Sequence, residues 1–225
     1  MGFLFNKVEF LKQDCDLENN VDKLSIEDSN FELLKESLNC EKALKNTLEN
    51  ADINMYVSRD IKIGVDNLQA QIDYMVVTPV HAYLIECKSL VGDITVDGNN
   101  FIRKFNNIEE TINSPVDIAI RNTEIVKRYR DAHRSKVFNS LNSYGVDDYY
   151  KPLAVAANVN GKLDTTNASK DIKDIIVPLN DLIDYFTSEI KETSFFNRDS
   201  KDTMLNVANF ILYANNAYRI QNDSH

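Results

Sequence analysis

Cysteine and histidine are scarce in this sequence, which contains three residues of each type. Cys15, Cys40 and Cys87 lie far apart and form no Cys-x-x-Cys pair, so the usual sequence pattern of a zinc site is missing. Their spacing predicts free, buried thiols rather than a disulfide framework, since a reducing compartment is expected.

Long apolar runs are missing as well. No run reaches the roughly 18 residues that a membrane-spanning helix needs. The start, MGFLFNKVEF, reaches Lys7 and Glu9 too soon for a secretory signal, and Asn6 stands where a myristoylation signal needs Ser or Thr. We therefore expect a cytoplasmic protein without a membrane partner.

Acidic residues outnumber basic ones, and the formal net charge is −10. This excess argues against indiscriminate nucleic-acid binding. Residues 121–136, RNTEIVKRYRDAHRSK, nevertheless carry six Lys/Arg against two acids. A phosphate-binding surface would use these candidates: Arg121, Lys127, Arg128, Arg130 and Arg134. Taken alone, the segment is better explained as a solvated helix face.

The order of elements predicts an α/β domain, with a mixed central sheet flanked by helices. Residues 1–28 read as an acidic arm and 29–195 as the main domain, followed by a helical extension at 196–225. Within the domain we expect the following elements: a helix from Ser29, strands at 55–63, 70–77 and 82–88, a hairpin in ITVDGNNFIRKF, a helix at 116–136 after Pro115, strands at 151–159 and 174–179, and helices at 180–192 and 202–220.

The stretch QIDYMVVTPVHAYLIECK (71–88) places polar residues inside two apolar strands. A turn at TPVH sets Asp73 opposite Glu86 and Gln71 opposite Lys88, with all four on one face. Opposed Cβ atoms lie about 4.5–5.5 Å apart, so the two carboxylates repel each other. A hard divalent cation such as Mg²⁺ or Mn²⁺ would offset that repulsion. An exposed cross-strand salt-bridge cluster is the alternative.

A further acid, Glu41, falls in the apolar stripe of the first helix, between Leu38 and Leu44. A carboxylate on a core-facing stripe is costly unless it is paired or binds a metal. The pattern therefore predicts that Glu41 joins the polar hairpin residues. The alternative is a slightly rotated stripe with Glu41 at its edge.

These residues resemble the nuclease-related domain (NERD) family of the PD-(D/E)XK nuclease superfamily. AQIDYMVVTPVHAYLIECKSLVGDITVDGNNFIR (70–103) is similar to the family signature, which runs Gln-Ile-Asp, an apolar strand, Ile-Glu-x-Lys, Gly, and a hairpin ending in an aromatic residue. Glu41 takes the place of the family's helix Glu, which usually follows Gly, whereas Cys40 precedes it here.

The resemblance extends over roughly 38–190. Ser114-Pro115 resembles the opening of the family's next helix, and KPLAVAANV and DIIVPLNDLIDYF resemble its later segments. One departure lies at 116–118, Val-Asp-Ile, where the family often carries Gln. If that Gln contacts substrate or metal, its role is lost or moved in this chain.

The resemblance implies a restriction-endonuclease-like core and a Mg²⁺- or Mn²⁺-dependent nuclease, an endonuclease on DNA, in DNA processing or defence. RNA is left open as a substrate. Asp73 and Glu86 would bind the metal with the backbone carbonyl of Cys87, and Glu41 would hold a water or help a second ion. Lys88 would orient the attacking water, and Gln71 would fix Lys88 or that water. The basic helix then becomes the expected phosphate-tracking surface.

A second hypothesis keeps the fold without useful catalysis. The chain would then be a module that binds DNA or a partner protein. Self-association or partner binding would use the N-terminal arm or the C-terminal helix.

Overall fold

The computed structural model describes residues 8–10, 29–105, 107–133, 149–157 and 161–222. These residues form the following strands and α-helices: β1 (Val8–Phe10), α1 (Ser29–Glu49), β2 (Met55–Val65), β3 (Leu68–Val77), β4 (Ala82–Ser89), β5 (Asp93–Asp97), β6 (Asn100–Phe105), β7 (Ile108–Ile112), α2 (Pro115–Ala132), β8 (Tyr150–Ala157), β9 (Leu163–Asp164), α3 (Lys170–Ile175), β10 (Ile176–Pro178), α4 (Leu182–Glu192) and α5 (Lys201–Asn222).

The central sheet has six strands in the order β1-β2-β3-β4-β8-β10. Strands β2, β3 and β4 are antiparallel neighbours, whereas β1 runs parallel to β2, and β8 runs parallel to both β4 and β10. Alternate side chains of β4 enter opposite cores: Leu84 packs with α2 and α5, and Ile85 packs with α1 and α4. The predicted mixed α/β fold, a central sheet flanked by helices, is thus confirmed.

A second, four-stranded sheet has the order β7-β6-β5-β9. The predicted hairpin ITVDGNNFIRKF forms β5 and β6, which turn at Gly98 with a φ of 59°. That positive φ suits glycine, which has no Cβ to clash. Val96 and Phe101 pack with Val116 of α2, and this contact holds the second sheet beside the central one. The sequence did not predict β7 or β9.

The long helix α2 begins where the sequence predicts. The Ser114 side chain accepts a hydrogen bond from the backbone N–H of Asp117 at 3.1 Å, and Pro115 occupies the first turn. Both features stabilise a helix start, because the first N–H groups of a helix lack partners within it. The helix ends at Ala132, with His133 as its C-cap, and residues 134–136 of the predicted helix lie outside the described ranges.

The two predicted additions to the domain are built into it where they are described. Val8–Phe10, assigned to the arm, pairs with Met55–Val57 as an edge strand of the central sheet. Most of 1–28 lies outside the described residues. Helix α5 buries Val207 and Ile211 against β2, and the backbone N–H of Lys62 donates to Asn215 Oδ1 at 2.8 Å. The C-terminal helix is therefore part of the core rather than an extension.

Across the part of the chain that the structure describes, every helix is too short or too polar to cross a membrane.

Candidate active site

The β3–β4 hairpin adopts the predicted register, which pairs Tyr74 with Ile85 and Val77 with Ala82. The turn is closed by the backbone N–H of Thr78, which donates to the carbonyl of His81 at 2.9 Å. The Thr78 hydroxyl also accepts a hydrogen bond from the His81 N–H, at 3.2 Å. These local bonds fix which residues of the two strands face each other.

Beyond Tyr74 and Ile85 the two strands separate. Strand β3 continues along β2, with Gln71 opposite Lys62, while β4 continues along β8, with Glu86 opposite Ala154. Asp73 and Glu86 therefore border a gap in the sheet instead of facing each other across a ladder. The predicted pairing of Gln71 with Lys88 is wrong, because the ladder between their strands ends three residues earlier.

The Asp73 carboxylate occupies this gap. Its Oδ2 accepts a hydrogen bond from the backbone N–H of Cys87 at 2.8 Å, in the place of a strand carbonyl. The side chain is half-buried. One carboxylate oxygen thus holds the two strands in position, and the other can still accept a bond from a ligand.

Asp73, Glu86 and Lys88 influence one another electrostatically. Burial, and next the Asp73 charge, raise the pKa of Glu86 to about 7, against the smaller lowering effects of Lys88 and Arg121. Burial also raises the pKa of Asp73, and Asp60 adds to this, whereas the Cys87 amide and Lys88 oppose it. Two close, partly desolvated carboxylates therefore stand beside one lysine.

Glu41 lies at the edge of the apolar stripe, as the alternative interpretation had it. Among the α1 side chains from residue 38 onward, which the structure describes, Cys40, Leu44 and Leu48 are buried and Glu41 is exposed. Partial burial first, then the charges of Asp73 and Asp60, raise its pKa. Glu41 is therefore an accessible carboxylate within electrostatic reach of Asp73, not a buried one.

Asp60 is a site residue that the sequence analysis missed. Its φ is 53°, and its Oδ2 lies 3.7 Å from Arg59 Nε. Side chains of a regular strand alternate between its two faces, so residues an odd number apart should point to opposite faces. Tyr56 and Ile61 are an odd number of residues apart yet pack in the same core. The alternation of side chains along β2 therefore shifts by one residue between them. The sequence signal that could have identified Asp60 was the polar pair Arg59-Asp60 inside the apolar run MYVSRDIKI. The Asp60 charge raises the pKa of both Asp73 and Glu41.

Asn122 is a second residue that was missed. It is 3% exposed, and its Nδ2 donates to the backbone carbonyl of Gln71 at 2.6 Å. Its Oδ1 is buried and has no hydrogen-bond partner among the described residues. The sequence signal that could have identified Asn122 was a polar amide on the core-facing side of an amphipathic helix. Asn122 ties α2 to β3 beside the gap, whereas the Gln71 side chain points to solvent.

The basic residues of α2 divide into two groups. Arg121 and Arg128 are exposed, and Arg121 lies close enough to Glu86 to lower its pKa. Lys127 is half-buried, with its Nζ 3.3 Å from Glu124 Oε1. Arg134 lies outside the described residues.

Arg130 corrects the predicted phosphate-binding set. It is 2% exposed, its Nη2 lies 2.8 Å from Asp131 Oδ1, and its guanidinium stands 5.7 Å from the Tyr150 ring centroid. These contacts are structural, since a buried guanidinium with such partners cannot reach a phosphate.

A pocket of about 320 Å³ adjoins Lys88 and extends toward the second sheet. It is lined by Lys88, Ser89, Leu90, Arg103, Thr111, Ile112 and Asn113. The Arg103 guanidinium is held by Glu110 Oε1, at 2.6 Å from Nη2. Ammonium, guanidinium, hydroxyl and amide groups together suit a polar, anionic ligand.

The donor set fits a hard divalent cation. No three His, Cys, Asp or Glu side chains converge as a ready-made metal centre within the described ranges. Mg²⁺ is nevertheless usually held by one or two carboxylates, together with waters and substrate phosphates. Asp73 and Glu86 supply two carboxylates whose pKa values are raised chiefly by burial, and the Cys87 carbonyl offers a further oxygen.

A scan against protein-family models matched the nuclease-related domain, NERD, over residues 36–155. No curated protein and no solved structure matched the chain. The matched range covers Glu41, the β3–β4 hairpin, the second-sheet hairpin and α2, but stops before the DIIVPLNDLIDYF segment, whose resemblance stays a prediction. Because the match spans more than half of the 225 residues, the chain belongs to the nuclease-related domain family.

Proposed function

We propose that the chain is a Mg²⁺- or Mn²⁺-dependent endonuclease that hydrolyses phosphodiester bonds in DNA. The observation that carries the proposal is the cluster of Asp73, Glu86 and Lys88 at the gap between β3 and β4, where burial and the Asp73 charge raise the pKa of Glu86 to about 7. An isolated pair of acids is unfavourable there, whereas a cation and a phosphate together balance the charge.

Asp73, Glu86 and the backbone carbonyl of Cys87 would hold the metal ion. Bound there, Mg²⁺ or Mn²⁺ supplies Lewis-acid stabilisation of the phosphate charge and a more acidic water. The Cys87 N–H fixes the orientation of the Asp73 carboxylate through a 2.8 Å hydrogen bond. That bond keeps the acid in place before substrate arrives, which lowers the cost of organising the site.

Lys88 follows Glu86 by two residues on β4, so both side chains lie on the same face. Its ammonium would orient the attacking water and stabilise the negative charge that develops on the phosphate oxygens. Glu41, exposed and near Asp73, would accept a hydrogen bond from a water at the site. Gln71 receives no role, since its side chain points to solvent and its strand has left β4.

The DNA backbone would approach along the start of α2 and the pocket beside Lys88. Arg121 supplies an exposed guanidinium near Glu86, and the pocket adds Arg103 and Asn113. Phosphate contacts of this kind position a nucleic acid without reading its sequence.

Incubation of supercoiled plasmid with the protein in Mg²⁺, Mn²⁺ or EDTA tests the proposal. We expect wild type to produce nicked and linear plasmid with metal only, and Asp73→Asn and Lys88→Met to lose at least about 100-fold in rate. Lys151→Met is the matched control, since Lys151 is a half-buried lysine on the adjacent strand β8. Plasmid left intact by wild type in both metals would remove the nuclease proposal.

A binding module without catalysis is favoured by two observations. Glu41 is exposed, and the described residues contain no group of three metal-binding side chains. Such a module would bind a labelled DNA duplex, measured by fluorescence anisotropy, equally well in EDTA and in Mn²⁺. The nuclease proposal instead expects tighter binding in metal, because the cation neutralises the acids that repel phosphate.

A further inference from the structure

Two cysteine thiols meet directly behind the candidate active site. Cys40 Sγ on α1 lies 2.6 Å from Cys87 Sγ on β4, and the two residues are 1% and 9% exposed. Both are free thiols. A disulfide has an S–S length of about 2.05 Å, so joining these sulfurs requires a shift of roughly half an ångström rather than a rearrangement of the backbone.

The pair lies between the proposed catalytic side chains. Cys40 precedes Glu41, and Cys87 stands between Glu86 and Lys88 with its N–H bound to Asp73. The Cys87 side chain enters the core on the α1 side, whereas Glu86 and Lys88 alternate to the opposite side. A glycine at position 40, which the family resemblance leads one to expect, would leave Cys87 without a thiol partner. The contact is thus a property of this chain's own residues.

We propose that Cys40 and Cys87 are a peroxide-dependent cross-linking site, at which a disulfide joins α1 to β4. Cys87, the more exposed residue of the pair, loses its thiol proton, and its sulfur attacks one oxygen of hydrogen peroxide. The O–O bond breaks, and the products are a sulfenic acid and one water, which forms when the departing hydroxide takes up that proton. The Cys40 thiolate then attacks that sulfur, an S–S bond forms, and the hydroxyl group leaves as a second water. Two thiols lose one electron each, and one peroxide gains two.

The surroundings set the rate of this reaction. Cys40 and Cys87 are only 1% and 9% exposed, so hydrogen peroxide reaches the two sulfurs slowly. We therefore expect oxidation over minutes to hours. The product cannot be reached quickly by large reductants, because both sulfurs are buried.

Hydrogen peroxide treatment of the full chain carrying Cys15→Ala tests the proposal. After treatment, remaining thiols are alkylated under denaturing conditions, and the protein is digested without reductant. We expect an intact mass lower by two hydrogen atoms, a peptide that links residues 40 and 87, and a Tm raised by roughly 5 °C. Dithiothreitol should reverse all three changes.

Cys40→Ala in the same background is the matched control, and circular dichroism verifies its fold. Cys87 alone should then accumulate as sulfinic acid without a cross-link or a rise in Tm. Alkylation of both thiols after peroxide, in protein whose denatured form does oxidise, would overturn the proposal. Masses and melting temperatures do not depend on nuclease activity, so a failure of this proposal can be distinguished from a failure of the nuclease proposal.

Discussion

At the scale of single residues, the site depends on one carboxylate that replaces a backbone acceptor. Asp73 satisfies the Cys87 N–H where β3 and β4 no longer pair. A buried amide without a partner costs about 1–3 kcal/mol, so the fold tolerates the gap because Asp73 fills it. The charge of the same side chain raises the pKa of Glu86. Asp73 therefore both holds the two strands together and sets the electrostatics of the neighbouring acid.

The raised pKa of Glu86, about 7 against an ordinary 4.5, gives a prediction for metal-free protein. The folded state holds a proton that the unfolded state has lost, so this contribution to stability is present at low pH and disappears as pH rises through 7. In EDTA, the unfolding free energy of wild type should fall relative to Glu86→Gln by about 2 kcal/mol between pH 5 and pH 8. Urea unfolding at the two pH values measures the difference.

Glu109→Gln serves as the control for this experiment, since Glu109 is an exposed acid on β7. Its unfolding free energy should follow that of wild type at both pH values. Parallel pH curves for wild type and Glu86→Gln would show that Glu86 is not desolvated as described. Mn²⁺ at pH 8 should stabilise wild type and leave Glu86→Gln nearly unchanged.

At the scale of elements, local patterns were predictable and long-range neighbours were not. The β3–β4 register followed from apolar alternation and a turn at Pro79, which are both encoded within about twenty residues of QIDYMVVTPVHAYLIECK. The end of that ladder at Tyr74 could not be read there, because it depends on β2 and β8 taking over the two strands. Helix α5 was predicted as a helix, but its packing against β2 was not.

The integration of α5 predicts a large effect of truncating its inner face. Ile211 is fully buried in the core beneath β2, whereas Tyr213 on the same helix is 63% exposed. Ile211→Ala should lower the free energy of unfolding by about 2–5 kcal/mol, and Tyr213→Ala by less than about 1 kcal/mol. Chemical unfolding measures both. Equally small losses of unfolding free energy in both variants would contradict this packing and would indicate that α5 is only appended to the domain.

At the scale of the whole molecule, the net charge is −10, yet the entrance to the candidate site is locally basic. Exposed Arg121 and Arg128 lie on one face of α2, and Lys88 and Arg103 line the adjoining pocket. If the chain binds DNA as proposed, these cations would attract the phosphates while the acidic surface repels them, so binding should depend steeply on salt.

Arg121→Gln should therefore weaken DNA affinity several-fold at low salt and reduce the slope of log K against log salt by about 0.9. Fluorescence anisotropy over a salt series measures both quantities. Lys170→Gln, an exposed lysine on α3, should leave them unchanged. Arg130→Gln should lower thermal stability without altering the salt slope, because Arg130 is buried against Tyr150. If Arg130→Gln changed the slope of log K against log salt and Arg121→Gln did not, the exposed face of α2 would not be the DNA-binding surface.

The order of strands in the central sheet also determines when the candidate site can assemble during folding. The β3–β4 hairpin closes across a turn of four residues, TPVH, and such hairpins form in about 1–10 μs. Strand β4 must wait for β8, whose first paired residue, Tyr150, joins Ala82 from far along the chain. Closing a loop of that length is slow, and parallel pairing cannot begin locally. We therefore expect Asp73 and Glu86 to come near each other early in folding, and the strand that supports Glu86 to pair late.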